Sequence, residues 1–524
     1  MKYINKFPTP LLFFITLWAW AWGWWGDVLW TAHERSFFAF EPELVQHIWS
    51  KPYGSLWLIG RAILSLCAYP WLGALIFAVM LTGIACCLRY IVARHGTSYI
   101  SHKRLIIDTL CYVPSLLWVL QLTCASFNAY FKAEPGRIFG IPALWLIIVA
   151  LQAFLLWTFR RRRKAVQQQP THPLKWAYAL IPVLFIVLTT QFERYCRPWT
   201  RPTAQMERLY ADEDWTGIRE VALDNDRVTC RPMAAYYAIA LVRQNAIMKN
   251  LFDIRFEYDS IHMYDYNGVL MNNTPYYVTE CDLHAGLLQF AYHKAIEDMT
   301  VDGVTIHNLK LMTQITAMRH ENKVCRKYLD ILDRTIGTSD FTSRWRTYLA
   351  DSLKMEADAT VKSIRNLEPV HDGFESGYTD PAFLGYNLQL YEGRSQEALI
   401  NSIAVCLYTK LVPPFLERAQ YLTPDGIMQN QIIADALAMQ IAKNPDILKA
   451  LPQLKMNQSR YQMFVQQLKN IGAVGGTEQR MPFADPLYET GRCYYPYYYF
   501  FGNLGATRKD AAARYGYGQK DGVN

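Results

Sequence analysis

WLGALIFAVMLTGIACCLRYIV, residues Trp71–Val92, decides the architecture. Its first charge is Arg89, and a helix needs about 20 mostly apolar residues to cross a hydrocarbon core roughly 30 Å thick. Similar runs occupy 9–26, 105–125, 139–159 and 174–192, so the reading is five transmembrane spans. Thirteen of the sixteen Trp lie in residues 1–192, with 17 basic and 6 acidic side chains, a net of +11. Residues 193–524 carry 36 and 39, a net of −3, which brings the chain to +8. The chain is therefore a basic, Trp-rich membrane block followed by 332 near-neutral residues, enough for a substantial core. Disorder, collagen and a nucleic-acid binder driven by bulk charge are excluded, because the basic excess flanks the spans.

The basic residues set the orientation. With the N-terminus inside, the inner side holds Lys2, Lys6, Arg89, Arg94, Lys103, Arg104, Arg160 to Arg163, Lys164 and Lys175, 12 of the 17. That asymmetry is the positive-inside pattern, and five spans then leave the C-terminal domain outside. The expected location is a bacterial inner membrane, multi-pass, with the N-terminus cytoplasmic and the large domain periplasmic. Ala19 and Ala21 form an A-x-A pattern, but the surrounding Trp18, Trp20, Trp22, Trp24 and Trp25 make a poor signal-peptide cleavage region. The apolar stretch 53–69 is short, contains Arg61 and ends before Pro70. A sixth span there would turn Arg89, Arg94, Lys103 and Arg104 outward, so it reads as an interfacial or re-entrant helix.

Residues 193–202, with Pro198 and Pro202, read as a linker. Beyond it, residues 203–502 repeat helical periodicity with almost no strand-like alternation. Stripes recur at Leu283, Leu287, Ala291 and Ala295, at Val324, Tyr328, Ile331 and Leu332, and at Leu399, Ile403 and Cys406, with Ser395 as an N-cap. The expected pairs are 215–223 with 232–246, 280–300 with 305–319, 322–336 with 340–365, and 381–391 with 395–409. Stacked pairs that bury a core only through their neighbours make an α-solenoid. Trp215-Thr216-Gly217-Ile218 followed by Ala222 points to a tetratricopeptide (TPR)-like version, with drifting spacing. The fold class is all-α, and the Gly-, Ala- and charge-rich tail 503–524 is expected to be disordered.

Three segments carry a resemblance: Tyr69 to Ile76, Asp214-Trp215 with Tyr236 to Leu241, and Cys493 to Tyr498. On these the chain resembles an uncharacterised family of Bacteroidota membrane proteins, a domain of unknown function. The resemblance implies several N-terminal spans, a TPR-like periplasmic domain and an inner-membrane location. It implies no catalytic residues.

Chemistry-bearing patterns are sparse. There is no C-x-x-C, H-E-x-x-H, P-loop, G-x-G-x-x-G or G-x-S-x-G, so no metal site and no cofactor is expected. Cys196, Cys230, Cys281, Cys325, Cys406 and Cys493 lie outside the spans and are read mostly as buried thiols. The first outer loop gathers Asp27, His33, Glu34, Arg35, Glu41 and Glu43, read first as solvated charge. In the alternative reading, Asp27 or Glu34 is the catalytic carboxylate of a transferase acting on a lipid-linked glycan. The second cluster is Tyr494, Tyr495, Tyr497 and Tyr498, either a candidate interaction surface for protein or glycan, or a cap over the last helix. The leading reading is a non-enzymatic, membrane-anchored helical-repeat scaffold whose partners are the bilayer and other proteins.

Overall fold

Helix is the only regular structure among the described residues of this computed structural model, as the periodicity requires. Those residues are 8–95, 101–124, 135–159, 175–196, 198–226, 231–254, 276–301, 303–369, 395–408, 410, 412–450, 458–473, 475 and 477–502. The basic run 160–164, the expected helix 381–391 and the tail 503–524 lie outside them. Two compact units emerge. The first comprises Met1–Arg208, Asp302–Lys310 and Arg326–Arg346, and the second Leu209–Val301, Leu311–Cys325 and Thr347–Asn524.

The first unit contains α1 (Pro8–Gly23), α2 (Gly26–Glu34), α3 (Pro42–Trp49), α4 (Gly54–Leu64), α5 (Pro70–His95), α6 (Ser101–Leu110), α7 (Val113–Cys124), α8 (Arg137–Phe159) and α9 (Lys175–Cys196). It also holds most of α10 (Thr200–Ala211). Among the described residues, three stretches are long and apolar enough to cross a membrane: Pro70–Arg94, Leu105–Thr123 and Arg137–Thr158. Tyr178–Tyr195 reaches that standard only jointly with Thr200–Ala211, across a sharp bend, and Thr9–Gly23 and Gly54–Ala68 are apolar but shorter. The stretch 193–202 holds the last turn of α9 and the start of α10, turned at Pro198 and Trp199.

Contacts fix the helix directions. α1 and α9 run parallel, because the indole of Trp20 donates to Thr190 Oγ1 at 3.1 Å and Arg194 lies 4.4 Å over the Trp24 ring. α5 runs against α1, placing Pro70 beside Gly26 and Phe77 beside Trp20. α7 runs against α5, since Tyr112 meets Arg89 while Ser115 Oγ donates to the carbonyl of Leu81 at 2.8 Å. α8 parallels α5, through Phe77 with Phe139 and Gly83 with Leu146. The five apolar helices therefore alternate in direction along the chain. α4 crosses the start of α8 where Gly60 and Gly140 let the backbones approach, and a Cβ at Gly60 would sit 1.9 Å from the carbonyl oxygen of Gly136.

In the second unit the expected helix 280–300 is two helices, α11 (Tyr276–His284) and α12 (Leu288–Val301). Gly286, at φ +81°, ends the first, with Leu287 N–H reaching back to the carbonyl of Asp282. A side chain there would be strained and would strike the backbone at Glu368. The expected helix 340–365 likewise divides, because the carboxylates of Asp351 and Asp358 accept from N–H groups two and three residues on and restart the helix. Ser395 caps its helix through Ala398 N–H at 3.0 Å.

Candidate functional site

The loop expected to be solvated is folded and largely buried. α2 begins two residues after α1 and carries His33 and Glu34 at its end, with Arg35 as its C-cap. Glu34 is only 3% exposed, and Lys310 Nζ donates to its Oε1 at 2.8 Å. Arg35 and Glu207, both buried, form a second ion pair. Asp27, half-buried, accepts from Arg208 at 2.9 Å, and Glu41 pairs with Arg334 at 2.9 Å near the surface. Ile306 N–H donates to the carbonyl of Ser36, and Phe37 packs on Ile306, Leu309 and Leu332. The charges of residues 27–41 thus fasten this loop to α10 and to segments 302–310 and 326–346. Only ion pairing with added hydrogen bonds makes so many buried charges tolerable.

Electrostatics within the cluster are decided by burial against pairing. Burial pushes the Glu34 carboxyl up, but the Lys310 ammonium, with His33 and the hydrogen bond from Lys310, holds it below the usual carboxylate range. His33 is lowered to about 4, first by burial; the Glu34 charge opposes that shift, and Lys310 reinforces it. Backbone groups of Ile336 and Leu64 beside the ring offset a small part of that lowering. His307 lies well below its ordinary value through burial and the Arg35 charge. The two histidines are therefore neutral near pH 7, and the Glu34 carboxyl stays ionised.

A second buried polar cluster lies in the second unit. Tyr210 Oη and His284 Nε2 are 2.9 Å apart, with the rings of Trp215 and Tyr236 against Tyr210. Arg243 Nη2 donates to the carbonyl of His284 at 2.8 Å, and its Nη1 to that of Thr360 at 3.1 Å. Tyr236 Oη donates to Glu280 Oε1 at 3.1 Å. Burial, then the charge of Arg243, drives His284 well below its ordinary value, and burial lowers Arg243 to about 10.

The structure places the remaining candidates in packing roles. Tyr494, Tyr495, Tyr497 and Tyr498 are all buried, which corrects their reading as an interaction surface. Tyr495 donates to the carbonyl of Leu407, Tyr497 to that of Ala484 and Tyr498 to that of Tyr408, so each hydroxyl is satisfied inside. Cys281, Cys325 and Cys406 are buried and in no disulfide, while Cys493 is exposed. No group of three or more His, Cys, Asp or Glu among the described residues is placed to hold a metal ion. Lys310 and Glu207, the partners that define the first cluster, carry no local signal, since they lie 276 and 172 residues from the side chains they bind.

Fold and site together define an all-helical protein with apolar helices of membrane-crossing length and a buried ion-pair cluster beside them. The chain belongs to the family of unknown function DUF6057, whose model matches residues 141–502. No curated protein and no solved structure matches it. The family match starts within α8 and covers α9 and the helical region through the last described residue.

Proposed function

We propose that this protein is a multi-pass inner-membrane protein that holds a TPR-like helical array on the periplasmic side as a scaffold for protein partners. The observation that carries the reading is the engagement of the loop carboxylates. Glu34 is buried against Lys310 and Asp27 is tied to Arg208, so both join the loop to other segments rather than facing a substrate. The alternating direction of five apolar helices, three of them long enough alone to cross a membrane, supports a reading as five spans with α1 and α9 crossing the same way. α8 and α9 leave Leu144, Ile148, Leu151 and Leu155, and Leu180, Leu184 and Leu188, exposed. Apolar faces that large are unfavourable in water and suited to lipid. Trp22 and Tyr195 stand exposed at the end where α1 and α9 finish, as interfacial aromatics do. Arg89 and Arg94 lie near the opposite end of α5, the end read as cytoplasmic.

Two measurements test this. Single Cys residues on a Cys-free background should be labelled from outside at Tyr195 and only from inside at Arg94; the reverse pattern overturns the topology. Asp27→Asn should complement a deletion strain fully, because the half-exposed pair with Arg208 is worth about 1 kcal/mol or less. Loss of a catalytic carboxylate at Asp27 costs at least ~10²-fold in rate, so failed complementation with normal protein abundance favours the transferase.

A further inference from the structure

Where α1 ends and α9 meets α10, two guanidinium groups gather on one indole. Arg194 lies 4.4 Å and Arg201 3.9 Å from the centre of the Trp24 ring. A guanidinium stacked on a ring is held by the π-face and keeps its in-plane N–H groups for an anion. Among the described residues, neither is within ion-pair distance of a carboxylate. Asp27, the nearest acid on α2, is engaged by Arg208 at 2.9 Å. Asp27 and the buried Glu193 both attract Arg201 from beyond ion-pair range, Asp27 the more strongly, and Glu193 also attracts Arg194, so they offset part of the charge without closing the site. Two cations gathered on one ring repel each other, and an anion bound beside them relieves part of that repulsion.

The surroundings say which anion. Below Arg194 on α9, Leu180, Leu184, Val187, Leu188 and Phe192 are exposed, and this apolar face runs up to the arginine. At the level of the arginines, Trp22 and Tyr195 are also exposed, the latter by 88%. A small free anion would use the arginines and leave the apolar face bare. A molecule with an anionic head and long hydrocarbon chains would use both.

We infer that Arg194 and Arg201, gathered over Trp24, bind the phosphate headgroup of an anionic phospholipid whose acyl chains lie on the exposed face of α9. This inference rests on the membrane reading above. Phosphate suits it because a planar guanidinium can present two parallel N–H donors to two of its oxygens. The site ties the bend between α9 and α10 to the bilayer surface.

The test uses the full-length protein, first scored for membrane fractionation and then purified in mild detergent for native mass spectrometry. Phosphatidylglycerol, phosphatidylcholine and inorganic phosphate are titrated separately. Phosphatidylglycerol should be retained over phosphatidylcholine, and the Arg194→Gln, Arg201→Gln double variant should lose that retention by about 30-fold, at about 1 kcal/mol per basic residue. Arg194→Lys should keep part of it, and Arg326→Gln, an exposed charge elsewhere, all of it. Equal retention by the double variant, or no preference for the anionic lipid, overturns the inference. Competition by inorganic phosphate at equal concentration reassigns the site to a free anion and also overturns it. Should the double variant fail to fold, the conservative Arg194→Lys and Arg201→Lys variants read out the same preference, and unchanged retention by Phe192→Ser in the apolar face counts against the lipid. Recovery of the wild-type chain in the soluble fraction without detergent refutes the membrane reading separately.

Discussion

The two buried polar clusters solve one problem differently. Around His33, Glu34 and Arg35, opposite charges are brought together: Glu34 on Lys310 and Arg35 on Glu207. Around His284, charged or polar groups meet neutral dipoles instead. Arg243 is held by two backbone carbonyls, and the Glu280 carboxyl accepts from the Tyr236 hydroxyl. The difference follows from what each cluster joins. The first connects segments hundreds of residues apart, where charge pairing selects one partner among many. The second joins segments 41 to 117 residues apart, and there backbone carbonyls and hydroxyls serve as the partners. Ion pairs fail badly when one member is lost; dipole contacts fail by less.

The largest effect should therefore come from halving a buried pair. Glu207→Ala leaves Arg35 buried without its carboxylate and should destabilise the first unit by about 3–5 kcal/mol. Limited proteolysis of membranes should then show cleavage near residues 302–310, whereas wild-type stability would mean the pair contributes little.

Acid should come next. His33 titrates at about 4 in the folded chain against 6.5 ordinarily. The unfolded chain therefore takes up the proton first as pH falls, so stability present above pH 6.5 is lost progressively toward pH 4. The shift corresponds to about 3 kcal/mol. Glu34, lowered as well, adds a further loss as pH falls below the usual carboxylate range. His33→Gln should flatten the pH dependence of Tm between 6.5 and 4; an unchanged slope would place the titration elsewhere. The dipole-type contacts should cost least. Tyr236→Phe removes one donor from the Glu280 carboxyl and should cost about 1.5–3 kcal/mol. A loss as large as that of Glu207→Ala would erase the distinction between the clusters.

The same contrast marks what could be read in the sequence. Local patterns were legible: the apolar runs of α5 and α8, the helical class, and the cap at Ser395, which needs only a residue three positions away. Gly286, Asp351 and Asp358 broke expected helices because a continuous apolar stripe looks the same whether the backbone turns or not. The burial of Glu34 was invisible because its partner, Lys310, is 276 residues away and no pattern along the chain links them. The tyrosines at 494–498 were ambiguous for a related reason. A side chain with an apolar face and a polar tip suits a surface or a core equally until carbonyls such as those of Leu407 and Tyr408 are found to meet the hydroxyls.

If Glu34 fastens the loop, as proposed, a double variant at Glu34 and Lys310 should separate that role from chemistry. Lys310→Met alone leaves a buried carboxylate unpaired, and should deplete folded protein and fail to complement a deletion strain. Adding Glu34→Gln removes the second charge while keeping its shape. A buried amide without a partner costs less than a lone buried carboxylate, so the double variant should regain most of the abundance and complementation. A double variant that is abundant and membrane-inserted yet still fails to complement would show that the Glu34 carboxylate itself is needed, and would contradict the scaffold account.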